Sequence, residues 1–575
     1  MISVPPPDSR AFGERNNAAA ETLVPVSAPV KGSPVAGPDL ILTADTVLTV
    51  DANDTVAQAV AVTDGIISAV GSAADILATA GPGTEVLELS GKTVVPGFVD
   101  PHSHVGIGAP YVKHAAIHPP PVGDCRTADD VIAKMRSVAE DRALREGDWL
   151  LGWGYFPDQM SDKGEGLDKR RLDQEFPGLR TALIHVSGHG GVAGSRVLAE
   201  VGVSGSSESP EGGVIVRHPG TSEPTGELWE TAWLPVITLL PPLDGDDYRA
   251  MCREYARWGW TTAQDGALHL GQVRDIQGFA DEEPLPIDIM GLVLFTDFAE
   301  ALQADDIPFG QWGRGGYKHQ GLKLILDGSP QGRTAFMSQP YIGDGPNGEK
   351  EWLGTPVLTQ QQTDDLVAAA FKGGVQVFAH TNGDGAVDRL VSAVRSARDK
   401  GLSGPGRTVA VHSQIMRRDQ LNDYVELGIE PSFFTIHAYL FGDVHIKNFG
   451  QERAFGMSPM RSALDLGLRP TNHHDYPITP LPATNMLWSA TTRRSVGGVV
   501  LGEGERVSAM ESLRAVTTNS AYEHCEEATR GSIEVGKLGD LVVLDANPLE
   551  VESEALRDLT VERTIKRGKT VFELS

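Results

Sequence analysis

Two histidines one residue apart close an apolar run, and no other feature limits the fold of this chain as tightly. The run is Thr93-Val94-Val95-Pro96-Gly97-Phe98-Val99, and it leads into Asp100-Pro101-His102-Ser103-His104. Val94 to Val99 is rich in β-branched and aromatic residues, which predicts a buried strand. Side chains alternate along a strand, so His102 and His104 are expected to point the same way from its end. Imidazoles projecting together make a half-built metal site.

Downstream, strand-like apolar runs alternate with helical stretches. Thr181–Val186, Gly321–Leu326, Val375–His380 and Thr408–His412 read as strands; Ala128–Leu144, Asp364–Phe371 and Ala386–Arg398 carry helical periodicity. Such alternation over some 430 residues predicts an α/β fold with a parallel sheet, most simply a (β/α)8 TIM-like barrel over 97–530. The spacing from His104 to Lys323 is too long for three βα units, so a large insertion is expected around 110–250. Both chain ends read differently. Short strands fill 39–96, with Asp64-Gly65 as a hairpin signal, and again 531–575, where Arg567-Gly568-Lys569 is a turn. Short strands at two ends need partners, so both ends are expected to build one small β-sandwich.

Composition removes several functions. The net charge of −28 argues against nucleic acid and against anionic membrane surfaces. No apolar stretch approaches the ~20 residues of a membrane span. Three scattered cysteines, Cys125, Cys252 and Cys525, suit a reducing compartment and a cytoplasmic protein rather than a disulfide framework. Residues 1–38 are rich in Pro, Ala, Ser and Gly, show no secretory-signal pattern and are expected to be a disordered tail.

In a barrel of this kind, chemistry sits at the C-terminal ends of the strands. Lys323 lies inside an apolar strand, His380 and His412 end apolar runs, and Asp475 follows Leu468–His474. His380 and His412 are 32 residues apart, and His412 and Asp475 are 63 apart. At about 30 residues per βα unit, these fit consecutive strands and then one skipped strand. Neutral imidazoles and a carboxylate bind Zn²⁺, one ion or two, and leave a position open for water. The metal lowers the pKa of that water to about 7. Asp475 can then take the proton and pass it to a leaving amine. Lys323 has apolar neighbours that would desolvate its ammonium and lower its pKa. Such an amine can capture CO₂ as a carbamate. Two plainer readings remain open: Lys323 pairing with Asp327 or snorkelling, and Asp475 capping a turn before Pro477.

The segment Pro96–His104 resembles the first metal motif of the amidohydrolase superfamily, and Gly531–Leu544 resembles its returning terminal strands. Gly152–Tyr155, Gly188–Gly191, Thr225–Leu228, Leu322–Ser329 and His380–Ala386 resemble the YtcJ-like (amidohydrolase family 3) branch. The resemblance implies a metal-dependent hydrolase of a non-peptide C–N bond, in an amide or an N-substituted formamide. It implies His102 and His104 as ligands from strand one, Lys323, carboxylated, from strand four, His380 and His412 from strands five and six, and Asp475 from strand eight. It places His189 near the substrate. His437, in the aromatic stretch Phe433–Asp443, is the candidate substrate contact after strand seven; those aromatics could wall a pocket for an aromatic N-substituent or lie in the core. The implied partner is a small molecule, and a homodimer is a candidate assembly. The chain departs from the branch at Val411, where Glu is common, and at His473-His474, which could add a ligand or shape the pocket. Ester or lactone hydrolysis on the same metal, or a non-catalytic regulatory role, are the alternative functions.

Overall fold

The computed structural model describes residues 37–575 except 187, 189, 211, 212, 241 and 346–348. Positions 1–36 of the expected tail lie outside the described residues. Pro38 is buried, and its carbonyl accepts from the Thr84 hydroxyl at 2.6 Å.

Eight strands form one parallel sheet in chain order. They are β1 (Phe98–Val99), β2 (Trp260–Leu268), β3 (Asp288–Leu294), β4 (Tyr317–Ile325), β5 (Gln376–Gly383), β6 (Thr408–Ile415), β7 (Ile429–Phe433) and β8 (Thr471–Asn472). Every neighbouring pair is parallel. Parallel neighbours need crossovers. Helices supply them at Leu270–Glu282 after β2, Gln360–Gly373 before β5, Asp384–Asp399 after β5 and Gln420–Leu427 after β6. The helix Gln360–Gly373 shows how sequence sets such a crossover. Thr359 and Gln362 exchange hydrogen bonds in a capping box at its start, and Gly374 ends it at φ +68°. Val367, Ala370 and Phe371 recur at helical spacing and pack into the main core beside Val375 and Val377.

The edge strands β1 and β8 share no ladder, yet the loops after them are bonded. The Asp475 N–H donates to the His102 carbonyl at 3.2 Å, and the His104 N–H to the Tyr476 carbonyl at 2.8 Å. Between β1 and β2 in the chain, a separate six-stranded sheet occupies the region where an insertion was expected.

Both chain ends enter one seven-stranded sheet. Its middle strand, Glu85–Pro96, runs parallel to Leu40–Leu48 and antiparallel to Leu541–Leu544. Where a sandwich was expected, the hydrogen bonding runs through this single sheet, and its edge residue Ile66 bridges Leu538. Asp64-Gly65 and Arg567-Gly568 have positive φ at both positions, the geometry of two-residue hairpin turns.

One expectation needs correction. Val94–Val99 is two strands in two sheets, not one. The seven-stranded sheet ends at Pro96 and the parallel sheet begins at Phe98. Gly97 makes the step, because a Cβ there would lie 2.4 Å from Thr261 Oγ1. His102 and His104 therefore sit in the loop after β1 rather than on a strand.

The two sheets are joined by buried charge. Asp288, at the start of β3, is fully buried and faces Lys566 at 2.7 Å, Arg567 at 2.7 Å and Arg530 at 3.1 Å. Burial alone would raise its carboxyl, but the three cations outweigh burial and hold it below the usual value. Removing the anion strands the cations without a counter-charge. Asp288→Ala is expected to destabilise the protein by about 3–5 kcal/mol, read as a lowered melting temperature in thermal denaturation.

Candidate metal centre

His102, His412 and Asp475 converge, with one ligand atom from each lying within 4.8 Å of the others. They come from the loop after β1, from β6 and from the loop after β8. The rings of His104 and His412 lie 5.0 and 5.6 Å from that of His102, and His380 lies 4.6 Å from His412. Lys323 Nζ is 2.8 Å from His102 Nε2. The structure thus brings all six residues named as ligands to one neighbourhood. His189 lies outside the described residues.

The loop that carries the first two imidazoles is held from below. Asp100 accepts from the His102 N–H at 3.2 Å and from the Ser103 hydroxyl, and Tyr255 donates to Ser103 Oγ at 2.8 Å. The same carboxylate lies 3.3 Å from His474 Nε2, with both side chains fully buried. His474 Nε2 therefore faces Asp100 rather than the ligand cluster. Asp265, at the end of β2, accepts from the Gly106 N–H and from the Tyr248 hydroxyl; burial pushes its carboxyl up to about 6. Gly266 must be glycine for the site to form, since a Cβ there would meet His102 Cε1 at 2.8 Å.

Proton placement on the rings is set by their outer partners. His102 Nδ1 donates to Gln264 Oε1 at 2.5 Å, His104 Nδ1 to the Gly266 carbonyl at 2.9 Å, and His380 Nδ1 to Asp327 Oδ1 at 3.1 Å. A neutral imidazole carries one N–H, so in that form each Nε2 is the acceptor nitrogen. Asp327 is thereby engaged by His380, and by the N–H groups of Asn382 and Gly383, rather than by Lys323. His380 Nε2 accepts from the Asn382 amide at 3.2 Å. His412 Nδ1 meets His473 Nε2 at 2.9 Å.

Electrostatics favour uncharged bases here. Burial, together with the Lys323 charge, drives His102 well below the ordinary imidazole value; burial and its neighbour His380 also drive His412 well below it. Burial pushes the Lys323 ammonium down to about 7. Burial alone would raise Asp475, but neighbouring His104, His473 and Lys323 hold it below its usual value. Asp475 Oδ1 has no hydrogen-bond partner, and it lies 3.3 Å from His104 Nε2 and 3.6 Å from His102 Nε2. Two imidazole nitrogens and a carboxylate oxygen without a partner thus converge on one point, with Nδ1 of both rings engaged elsewhere. The mixed nitrogen and oxygen donors therefore fit a divalent metal.

His437 stands further out. Its Nδ1 meets His445 Nε2 at 2.8 Å, and Phe434 bridges it to the cluster, 4.8 Å from His437 and 5.7 Å from His412. Phe434, not His437, is the aromatic next to the ligands. Sequence reading missed Gln264, Gly266 and Asp327 as orienting groups. The only available signal was a polar residue at the end of a strand-like run, which many surface residues share.

A model of the amidohydrolase family matches residues 85–572. The N-substituted formamide deformylase of Arthrobacter pascens is 28% identical over 93% of this chain and 98% of its own length. A putative amidohydrolase, YtcJ, of Bacillus subtilis is 26% identical over 90% and 96%. A crystal structure of an uncharacterised metal-dependent hydrolase from Pyrococcus furiosus superposes with a TM-score of 0.70 at 21% identity, over 89% of this chain and all of that one. Among the described residues no helix is long and apolar enough to cross a membrane.

The neutral buried histidines link fold to pH. Burial lowers His473 and His445 to about 3 and His524 to about 4. An unfolded imidazole protonates near 6.5, so the unfolded chain binds more protons as pH falls. Stability is therefore full above about pH 7 and is lost from about 6.5 downward. For metal-free protein, His445→Gln should reduce the slope of unfolding free energy between pH 6 and 4 by about 1.4 kcal/mol per pH unit, measured by urea denaturation at stepped pH. The motif match, the coverage of its relatives and this ligand geometry agree: the chain belongs to the amidohydrolase family, in its YtcJ-like branch.

Proposed function

We propose that this protein is a zinc-dependent hydrolase that cleaves the C–N bond of an amide or an N-substituted formamide. One observation carries the reading: the Asp475 carboxylate oxygen and the Nε2 atoms of His102 and His104 face one another, with Nδ1 of both rings engaged elsewhere. His102, His104, His412 and Asp475 would hold the metal, with His380 beside them. Nitrogen and oxygen donors of this kind suit zinc. When bound, the metal supplies Lewis acidity and acidifies water. The eight parallel strands are read as a closed (β/α)8 barrel, whose C-terminal rim is where such sites form.

The remaining work falls to side chains. The Asp475 carboxylate takes the proton of the attacking water and delivers it to the leaving nitrogen, so the amine departs neutral. Lys323 acts through its neutral amine. Near pH 7 a large share of it is unprotonated. Nζ can then attack CO₂, forming an N–C bond and releasing a proton to solvent, and the carbamate adds oxygen donors to the site. His189 is assigned the carbonyl oxygen, on the resemblance of Gly188–Gly191 alone. Phe434 provides an aromatic wall for an N-substituent. Two buried cysteines and one exposed one, all free, suit the cytoplasm.

The test is a substrate panel of N-substituted formamides, amides and matched esters, assayed with chelated and zinc-restored protein. Metal-dependent release of amine supports the reading. Turnover of esters alone would move it to ester or lactone hydrolysis, and absence of both metal and turnover would move it to a binding role. Asp475→Asn is expected to lower kcat by about 10²–10⁴-fold while zinc, measured by metal analysis, stays bound. Turnover near that of the parent would remove Asp475 as the proton carrier.

A further inference from the structure

Both nitrogens of His380 are engaged, and the one that would face a metal is engaged by a group that cannot bind one. Nδ1 donates to Asp327 Oδ1 at 3.1 Å, and Nε2 accepts from the Asn382 side-chain amide at 3.2 Å. A second contact fixes which way that amide points. Asn382 Nδ2 also lies 2.9 Å from the Gly328 carbonyl, which only accepts, so the atom facing both partners is the nitrogen, with one proton for each. A carboxamide nitrogen donates and offers a metal no lone pair. The neighbour of His102 Nε2 is of another kind. Lys323 Nζ, at 2.8 Å, is an amine with a lone pair of its own once neutral.

Packing holds the Asn382 amide where it is. Asp327 Oδ1 accepts from the Asn382 N–H at 2.9 Å as well as from the His380 ring, so one carboxylate oxygen sets ring and amide relative to each other. Asp327 Oδ2 accepts from the N–H groups of Gly383 at 2.8 Å and Phe336 at 3.0 Å, which ties the end of β5 to the loop after β4. The two backbones press together there. A Cβ at Gly383 would lie 2.1 Å from the Phe336 carbonyl oxygen, and one at Gly328 would lie 2.3 Å from Thr334 Oγ1. Meanwhile ligand atoms of His102, His412 and Asp475 converge within 4.8 Å without His380, and His104 Nε2 stands 3.3 Å from Asp475 Oδ1. Those side chains already supply the protein donors that a catalytic zinc uses.

We propose that Asn382 holds His380 off the metal, so that the centre binds through His102, His104, His412 and Asp475, and His380 stands outside the ligand set that the sequence resemblance implies. Asn382 is a positioning residue, since it acts through His380. The inference rests on the metal site of the proposed function.

Zinc affinity in chelator competition tests this, with the melting temperature of the metal-free protein as control. His104→Ala removes a donor and is expected to weaken binding by about 100-fold or more, beyond the loss of an outer partner. His380→Ala should bind zinc as the parent does. Asn382→Ala releases Nε2 and should tighten binding by about tenfold, and the gain should vanish in the double variant that also carries His380→Ala. A loss in His380→Ala as large as that in His104→Ala would overturn the proposal, as would unchanged or weaker binding in Asn382→Ala. If Asn382→Ala does not fold, the comparison of His380→Ala with His104→Ala decides. A parent protein that takes up no zinc would instead overturn the hydrolase reading beneath it.

Discussion

Two backbone hydrogen bonds hold the ends of the parallel sheet to each other, and the candidate centre exists because of them. They run from Asp475 to His102 and from His104 to Tyr476, joining the loop after the first strand to the loop after the last. Side chains from opposite ends of the chain are thereby set within 4 Å of each other. The backbone bends sharply to allow it. His412 has φ +74° and Asp475 φ +54°, a region costly for residues other than glycine, at about 1–3 kcal/mol each. Strain of this size persists only where surrounding structure holds it. Here a continuous parallel sheet and the braced loop over Asp100 do so.

Burial then dictates the chemistry. A charged imidazole or ammonium in this interior would be expensive, so His102, His412 and Lys323 are pushed towards their neutral forms. Neutral bases are what a metal requires. Outer partners, namely Gln264, the Gly266 carbonyl and Asp327, then choose which nitrogen is the acceptor. The same desolvation that disfavours protons leaves unprotonated donor atoms available to a divalent cation.

Much of this was readable in advance, for identifiable reasons. Period and length betrayed the helices at Gln360–Gly373 and Asp384–Asp399, because amphipathic packing imposes its repeat on sequence. Both Gly-containing hairpins were legible because few residues tolerate positive φ. The ligand candidates stood out as polar residues interrupting apolar runs. The break at Gly97 was hidden, since the apolar run continues through it while its strands join different sheets. His437 lies among aromatics as its sequence context suggests; its partner His445 is on the next turns of the same helix, and Phe434 stands between it and the ligands.

Local sequence determined which segments become strand or helix and which residue types could bind a metal, since propensity, periodicity and ligand chemistry act over a few residues. Only tertiary structure decided which imidazole nitrogen is the acceptor, and which carboxylate braces and which faces the ligands. Those outcomes depend on strand register and on contacts between residues far apart in the chain.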